Sequence, residues 1–192
     1  MLHPDRLRVP VDALHPDRLR GAEGVDLDRL TTLRPDRTNL SEWAGKINPG
    51  FLKDAITGRS GRSENCAECA RCVQETLEGR PRTAASIDRH GLPLDGGSTS
   101  GEDLAYTEQW AGARFSESDY DSIGQRVADS HGSAIVAAFG RTGGHAFNAI
   151  WDGHTVRLVD GQTGRTYAWE SSPYKHRFDS FRAIHFPPGE TQ

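Results

Sequence analysis

The apolar positions of this chain recur with two different periods, and the change of period divides it. Cys66, Cys69, Ala70, Val73 and Leu77 fall at the spacing of one helical stripe. They predict a helix over residues 66–79, stopped by Gly79. Tyr120, Ile123, Val127 and Ala128 repeat the pattern and predict a helix over 119–130, capped by Ser118. A shorter helix is expected at 102–110. From residue 134 the period becomes two, and strands are expected at 134–139, 145–151, 155–160, 166–169 and 182–186. Helices first and an antiparallel sheet afterwards make an α+β fold.

Residues 80–101 are rich in Gly, Pro and Ser and read as loop. Residues 1–45 differ again. "LHPDRLR" occurs at 2–8 and 14–20, with the echo "LRPDR" at 33–37, and apolar residues are sparse. Two copies are too few for a solenoid. We read 1–45 as a linker or flexible arm and 46–192 as the packed domain, whose beginning lies near "LSEWAGKINPGF".

Composition narrows the function classes. A net charge of −4 offers no basic excess to neutralise phosphates, so nucleic acid is not an expected partner. No apolar run approaches the length of a membrane span. The first residues, "MLHPDRLRVPVDALHPDRLR", hold no apolar core of a signal peptide. Export would need another route or a larger parent chain.

The chemistry concentrates in "SENCAECARCVQETLEG", which holds all three cysteines of the chain. Asn65 is a favoured cap residue, and Glu68 completes a box-like Asn-x-x-Glu signal. Cys66 is then the first helical residue, where unpaired backbone N–H groups and the helix dipole stabilise a thiolate. Three readings compete. A disulfide between positions three apart on one helix is sterically poor. A zinc site needs a fourth ligand from elsewhere, because "VQET" follows Cys72 where a ferredoxin run would bring a further cysteine. Small core residues without chemistry are the plain reading of Cys69 and Cys72. Cys66 is the candidate nucleophile, and it requires a base.

"GGHAFNAIWDGHTVRLVDGQTG" supplies one. Asp152-Gly153 is the strongest short hairpin signal, and a two-residue turn there sets Trp151 opposite His154, Ala149 opposite Val156, and His145 opposite Asp160. A carboxylate beside an imidazole orients the ring and stabilises its protonated form. The competing reading is a structural His–Asp contact, or a bulge that puts the two on opposite faces. His3, His15, His90, His131, His154, His176 and His185 read as surface or linker residues. "SPYKHRFDSFRAIHF" reads as sheet edge and tail, with target binding as the alternative.

Taken in order, Asn-Cys at a helix start, "GHAFN" and "VDGQTG" resemble the papain-fold toxin family, the glutamine-deamidase-like domains at the ends of bacterial polymorphic toxins. The resemblance covers about residues 45–165. It implies a papain-like fold, with the nucleophile at a helix N-terminus packed against an antiparallel sheet that carries His and Asp. It further implies Cys66 as nucleophile, His145 as base and Asp160 as orienter. Neither cofactor nor metal is implied. The glutamine that shortly precedes the nucleophile in papain-like enzymes is missing from "ITGRSGRSEN". The Cys66 N–H and Gln162 are therefore candidate oxyanion donors, and Asn65 is a further candidate substrate or oxyanion residue. The implied activity is deamidation of protein glutamine through a thioester. The implied setting is a secreted or delivered effector, with a protein substrate in a target cell and a cognate immunity protein. Three alternatives stay open: a cysteine peptidase or isopeptidase with the same triad, a zinc-binding interaction module, and an inactive relative kept for binding.

Overall fold

The computed structural model describes residues 35–57, 61–85 and 104–188. Its centre is a six-stranded antiparallel sheet in the order β1-β6-β2-β3-β4-β5. The strands are β1 (Ser116–Ser118), β2 (Ser133–Gly140), β3 (Gly143–Trp151), β4 (Val156–Asp160), β5 (Arg165–Ala168) and β6 (Ser180–Phe186). Ahead of them come α1 (Leu40–Trp43), α2 (Phe51–Thr57), α3 (Cys66–Leu77) and α4 (Leu104–Ala111). Between β1 and β2 runs α5 (Tyr120–Ser130), and α6 (Tyr174–Arg177) precedes β6. Helices and an antiparallel sheet make this an α+β fold, as the change of period along the chain predicts.

Strict alternation gives the sheet two buried faces. Ala134, Val136, Phe147, Ala149 and Leu158 point to one side, where Ile123 and Val127 of α5 cover them. Ile135, Ala146, Ile150 and Val159 point to the other and meet α3. Two bonds fasten α3 across the sheet. Asn148 Nδ2 donates to the Ala70 carbonyl at 3.1 Å, and Ser133 Oγ donates to Gln74 Oε1 at 2.9 Å.

Several local expectations need correction. The β3–β4 turn is longer than two residues. Trp151 pairs with Val156 rather than His154, and Ala149 with Leu158. The Asp152 carboxylate accepts from the backbone N–H groups of His154 (2.9 Å) and Thr155 (2.8 Å), which stabilises the wider loop. A slip of two residues restores the side-chain alternation, so every residue keeps its expected face. The cap of α5 is Asp119, whose carboxylate accepts from Ser122 N at 2.8 Å, and not Ser118, which closes β1. Helix α3 buries more than one stripe: Cys72 is fully buried, and Arg71 is buried on an ion pair with Glu68 (2.6 Å) and a bond to Thr107 Oγ1 (2.8 Å).

Leu40, Trp43, Ala44 and Ile47 are buried among Cys69, Cys72 and Val73, so packing against α3 begins with α1. Arg37 Nη1 ties the preceding residues down by donating to the Gly132 carbonyl at 2.7 Å. The repeats at 2–8 and 14–20, and most of the 80–101 loop, lie outside the described residues. Within them no helix is long and apolar enough to cross a membrane.

Candidate active site

Cys66 is the first residue of α3 and is partly exposed. The first helical bond runs from Cys69 N to the Asn65 carbonyl at 3.0 Å. The N–H groups before it, that of Cys66 included, are spare donors at the positive end of the helix. Asn65 occupies the cap position, but its side chain makes no cap bond. The box read from Asn65 and Glu68 therefore does not form. Instead Asn65 Nδ2 donates to the Asn48 side chain (3.1 Å) and to the Ala85 carbonyl (2.8 Å). Its Oδ1 accepts from Asn48 Nδ2 (3.1 Å) and Cys69 Sγ (3.4 Å). Asn65 is wholly buried, so its amide anchors the residue before Cys66 and is not presented to a substrate.

The three cysteines diverge. All are free thiols. Burial pushes Cys69 and Cys72 well above the ordinary thiol range, which keeps them neutral. Among the described residues no three His, Cys, Asp or Glu side chains converge as a metal site would require.

His145 lies near the start of β3, on a stretch that pairs with β2 before the β3–β4 ladder begins at Asn148. Past the end of β4 the sheet no longer separates its two faces. There a cleft of about 350 Å³ collects Cys66 from one side and His145 and Asp160 from the other. His145 Nε2 meets Asp160 Oδ2 at 3.1 Å. That leaves Nδ1 as the ring nitrogen for the cleft. Burial opposes the protonated ring, but the bond to Asp160, and after it the Cys66 thiol, outweigh burial and push the His145 pKa up to about 10.

Asp160 is fully buried and amply satisfied. Its Oδ1 accepts from the backbone of Gln162 (3.0 Å) and Thr163 (3.2 Å). Its Oδ2 also accepts from Thr163 Oγ1 (2.8 Å) and Tyr174 Oη (2.6 Å). Burial would raise this carboxyl, but His145 above all, with Tyr174 and Thr163, holds it below its ordinary range. The negative charge thus persists at depth because donors surround it.

Gly161 follows directly, and a Cβ there would stand 2.7 Å from Val73 Cγ2 and 3.1 Å from the Cys69 carbonyl. Only glycine lets the Asp160 turn lie against α3. Gln162 lines the cleft beside Cys66, with its Nε2 at a long 3.4 Å from Asn65 Oδ1. The structure thus gathers Cys66, His145, Asp160 and Gln162 and sets Asn65 behind them.

Sequence reasoning missed Tyr174, Thr163 and Phe178. The Phe178 ring stacks near-parallel to His145, with centroids 6.3 Å apart, and Arg177 sits over Phe178 at 5.6 Å as an exposed cation at the rim. Only Thr163 carried a signal, since it shares the "VDGQTG" turn. Nothing local marks Tyr174 or Phe178 as neighbours of Asp160 and His145.

A family model described as papain fold toxin 1, glutamine deamidase, matches residues 64–165. No curated protein and no solved structure is significantly similar to the chain.

Proposed function

This chain belongs to the papain fold toxin 1, glutamine deamidase family, and from that membership we propose that it deamidates glutamine side chains of a protein in a target cell. The observation that carries the reading is the meeting of Cys66, at a helix start, with the His145–Asp160 pair in one cleft. In this reading Cys66 and His145 form a thiolate–imidazolium pair. The sulfur attacks the carboxamide carbon, and the resulting oxyanion is met by the Cys66 N–H and the Gln162 side chain. The collapsing intermediate takes the His145 proton onto nitrogen and releases ammonia, leaving a thioester. Neutral His145 then removes a proton from water, which attacks the thioester and frees glutamate and Cys66. Asp160 keeps Nε2 engaged through both halves, so Nδ1 stays directed at the reaction.

The product differs from the substrate by one charge and two lost N–H donors, enough to break the target's own hydrogen bonds. Delivery from another cell and a cognate immunity protein belong to the same proposal, with toxin-family membership as their support. The test is proteome-wide peptide mass spectrometry of cells making the wild-type protein or Cys66→Ala. Glutamines converted to glutamate only with Cys66 support deamidation. Cys66-dependent cleavage fragments would make the protein a peptidase, and equal toxicity of the two forms would remove the triad from the mechanism.

A further inference from the structure

Three donors converge on one oxygen of Asp160. His145 reaches Oδ2 at 3.1 Å, Thr163 Oγ1 at 2.8 Å, and Tyr174 Oη at 2.6 Å. The shortest of the three comes from a separate element, the first residue of α6. The Tyr174 ring is buried and also meets His145 edge-on, with centroids 5.6 Å apart and planes at 79°. A structural tyrosine could place its hydroxyl on any carbonyl nearby. This one sits on the oxygen that faces the histidine.

An acceptor oxygen has limited electron density to share. Each donor it accepts stabilises the charged carboxylate and lowers its affinity for a further proton. We propose that Tyr174 is a positioning residue whose hydroxyl draws on Asp160 Oδ2 and so loosens the carboxylate's grip on the His145 proton. The consequence for catalysis rests on the triad reading above. His145 must give up its proton in the first half-reaction and act as a neutral base in the second. A carboxylate without the Tyr174 bond would hold the ring protonated and stall thioester hydrolysis. Burial matters here, because in Tyr174→Phe no bulk water reaches Asp160 to replace the lost donor.

The test reads the proton directly, in the full chain, by titrating the His145 ring nitrogens with ¹⁵N NMR in a Cys66→Ala background. Tyr174→Phe is expected to move the His145 titration upward by about one pH unit. Installing 3-fluorotyrosine at position 174 makes the hydroxyl a stronger donor and is expected to move the titration downward. Burial, and next the Asp160 charge, push the Tyr174 phenol up, so the fluorinated ring stays protonated while His145 titrates. Opposite shifts in the two proteins establish the role. Shifts in one direction, or none in the fluorinated protein, overturn it. If Tyr174→Phe does not fold, the fluorinated protein alone decides by the sign of its shift. The experiment needs no nucleophile. If Cys66→Ala keeps full deamidation while His145 shifts as expected, the triad fails and the Tyr174 inference stands.

Discussion

At the scale of single residues, the His145–Asp160 pair ties stability to pH. The folded His145 pKa is raised from 6.5 to about 10, so its contribution is whole below about 6.5 and is lost as pH climbs through about 10. Asp160 has the opposite sign. Its folded pKa lies below the ordinary 3.8, so its contribution is present above that value and is lost as pH falls below it. Urea unfolding of wild type and His145→Gln should therefore differ most between about pH 4 and 6.5, with the gap closing toward about pH 10. A gap that ignores pH over that range would mean a neutral ring in the folded protein. The residue types for this chemistry were legible in the sequence: a cysteine at a helix start, and a histidine and an aspartate on one hairpin face. Tyr174 was not legible, because its hydroxyl reaches Asp160 through the fold and not through any spacing along the chain.

At the scale of elements, the hairpin and α3 show what local patterns can carry. The face of each hairpin residue was readable from alternation, while the register was not, because Asp152 stabilises a wider loop than the Asp-Gly signal suggests. The seat of α3 depends on a missing side chain. In Gly161→Ala the new methyl would crowd Val73 Cγ2, the Cys69 carbonyl and Ile47 Cγ2, which stands at 3.2 Å, so helix and turn must part. A loss of about 1–3 kcal/mol is expected in denaturant unfolding. Alkylation of Cys66 by iodoacetamide should also stop responding to His145→Ala, since the thiol and the ring would no longer be held together. Wild-type stability in Gly161→Ala would show that this contact is not close-packed. The glycine of "VDGQTG" is thus a packing residue inside a chemical motif.

For the whole molecule, the packed unit reaches further toward the N-terminus than composition suggests. Trp43 and Ala44 are fully buried against α3, and Arg37 bonds to the far end of the sheet. A fragment beginning at residue 46 should melt well below one beginning at residue 35, since removing a buried tryptophan alone costs about 3–5 kcal/mol. Circular dichroism melts of the two fragments would show this, and equal melting temperatures would mean that α1 does not contribute to the core.

The sequence by itself determined the periodic features. These were a helix that begins at Cys66, strands whose alternate residues face opposite ways, and a hairpin that keeps His145 and Asp160 on one face. Such features depend on neighbours a few residues apart, and local patterns report them. The sequence also singled out Cys66 from Cys69 and Cys72, and the tertiary structure supplies what buries those two, α1 and the sheet. Only the tertiary structure brought Cys66 to His145, because β3 overruns β4 and opens the sheet's edge, while Gly161 and Asn148 hold α3 across it. Distant contacts of this kind follow from how whole surfaces pack, and no local period encodes them.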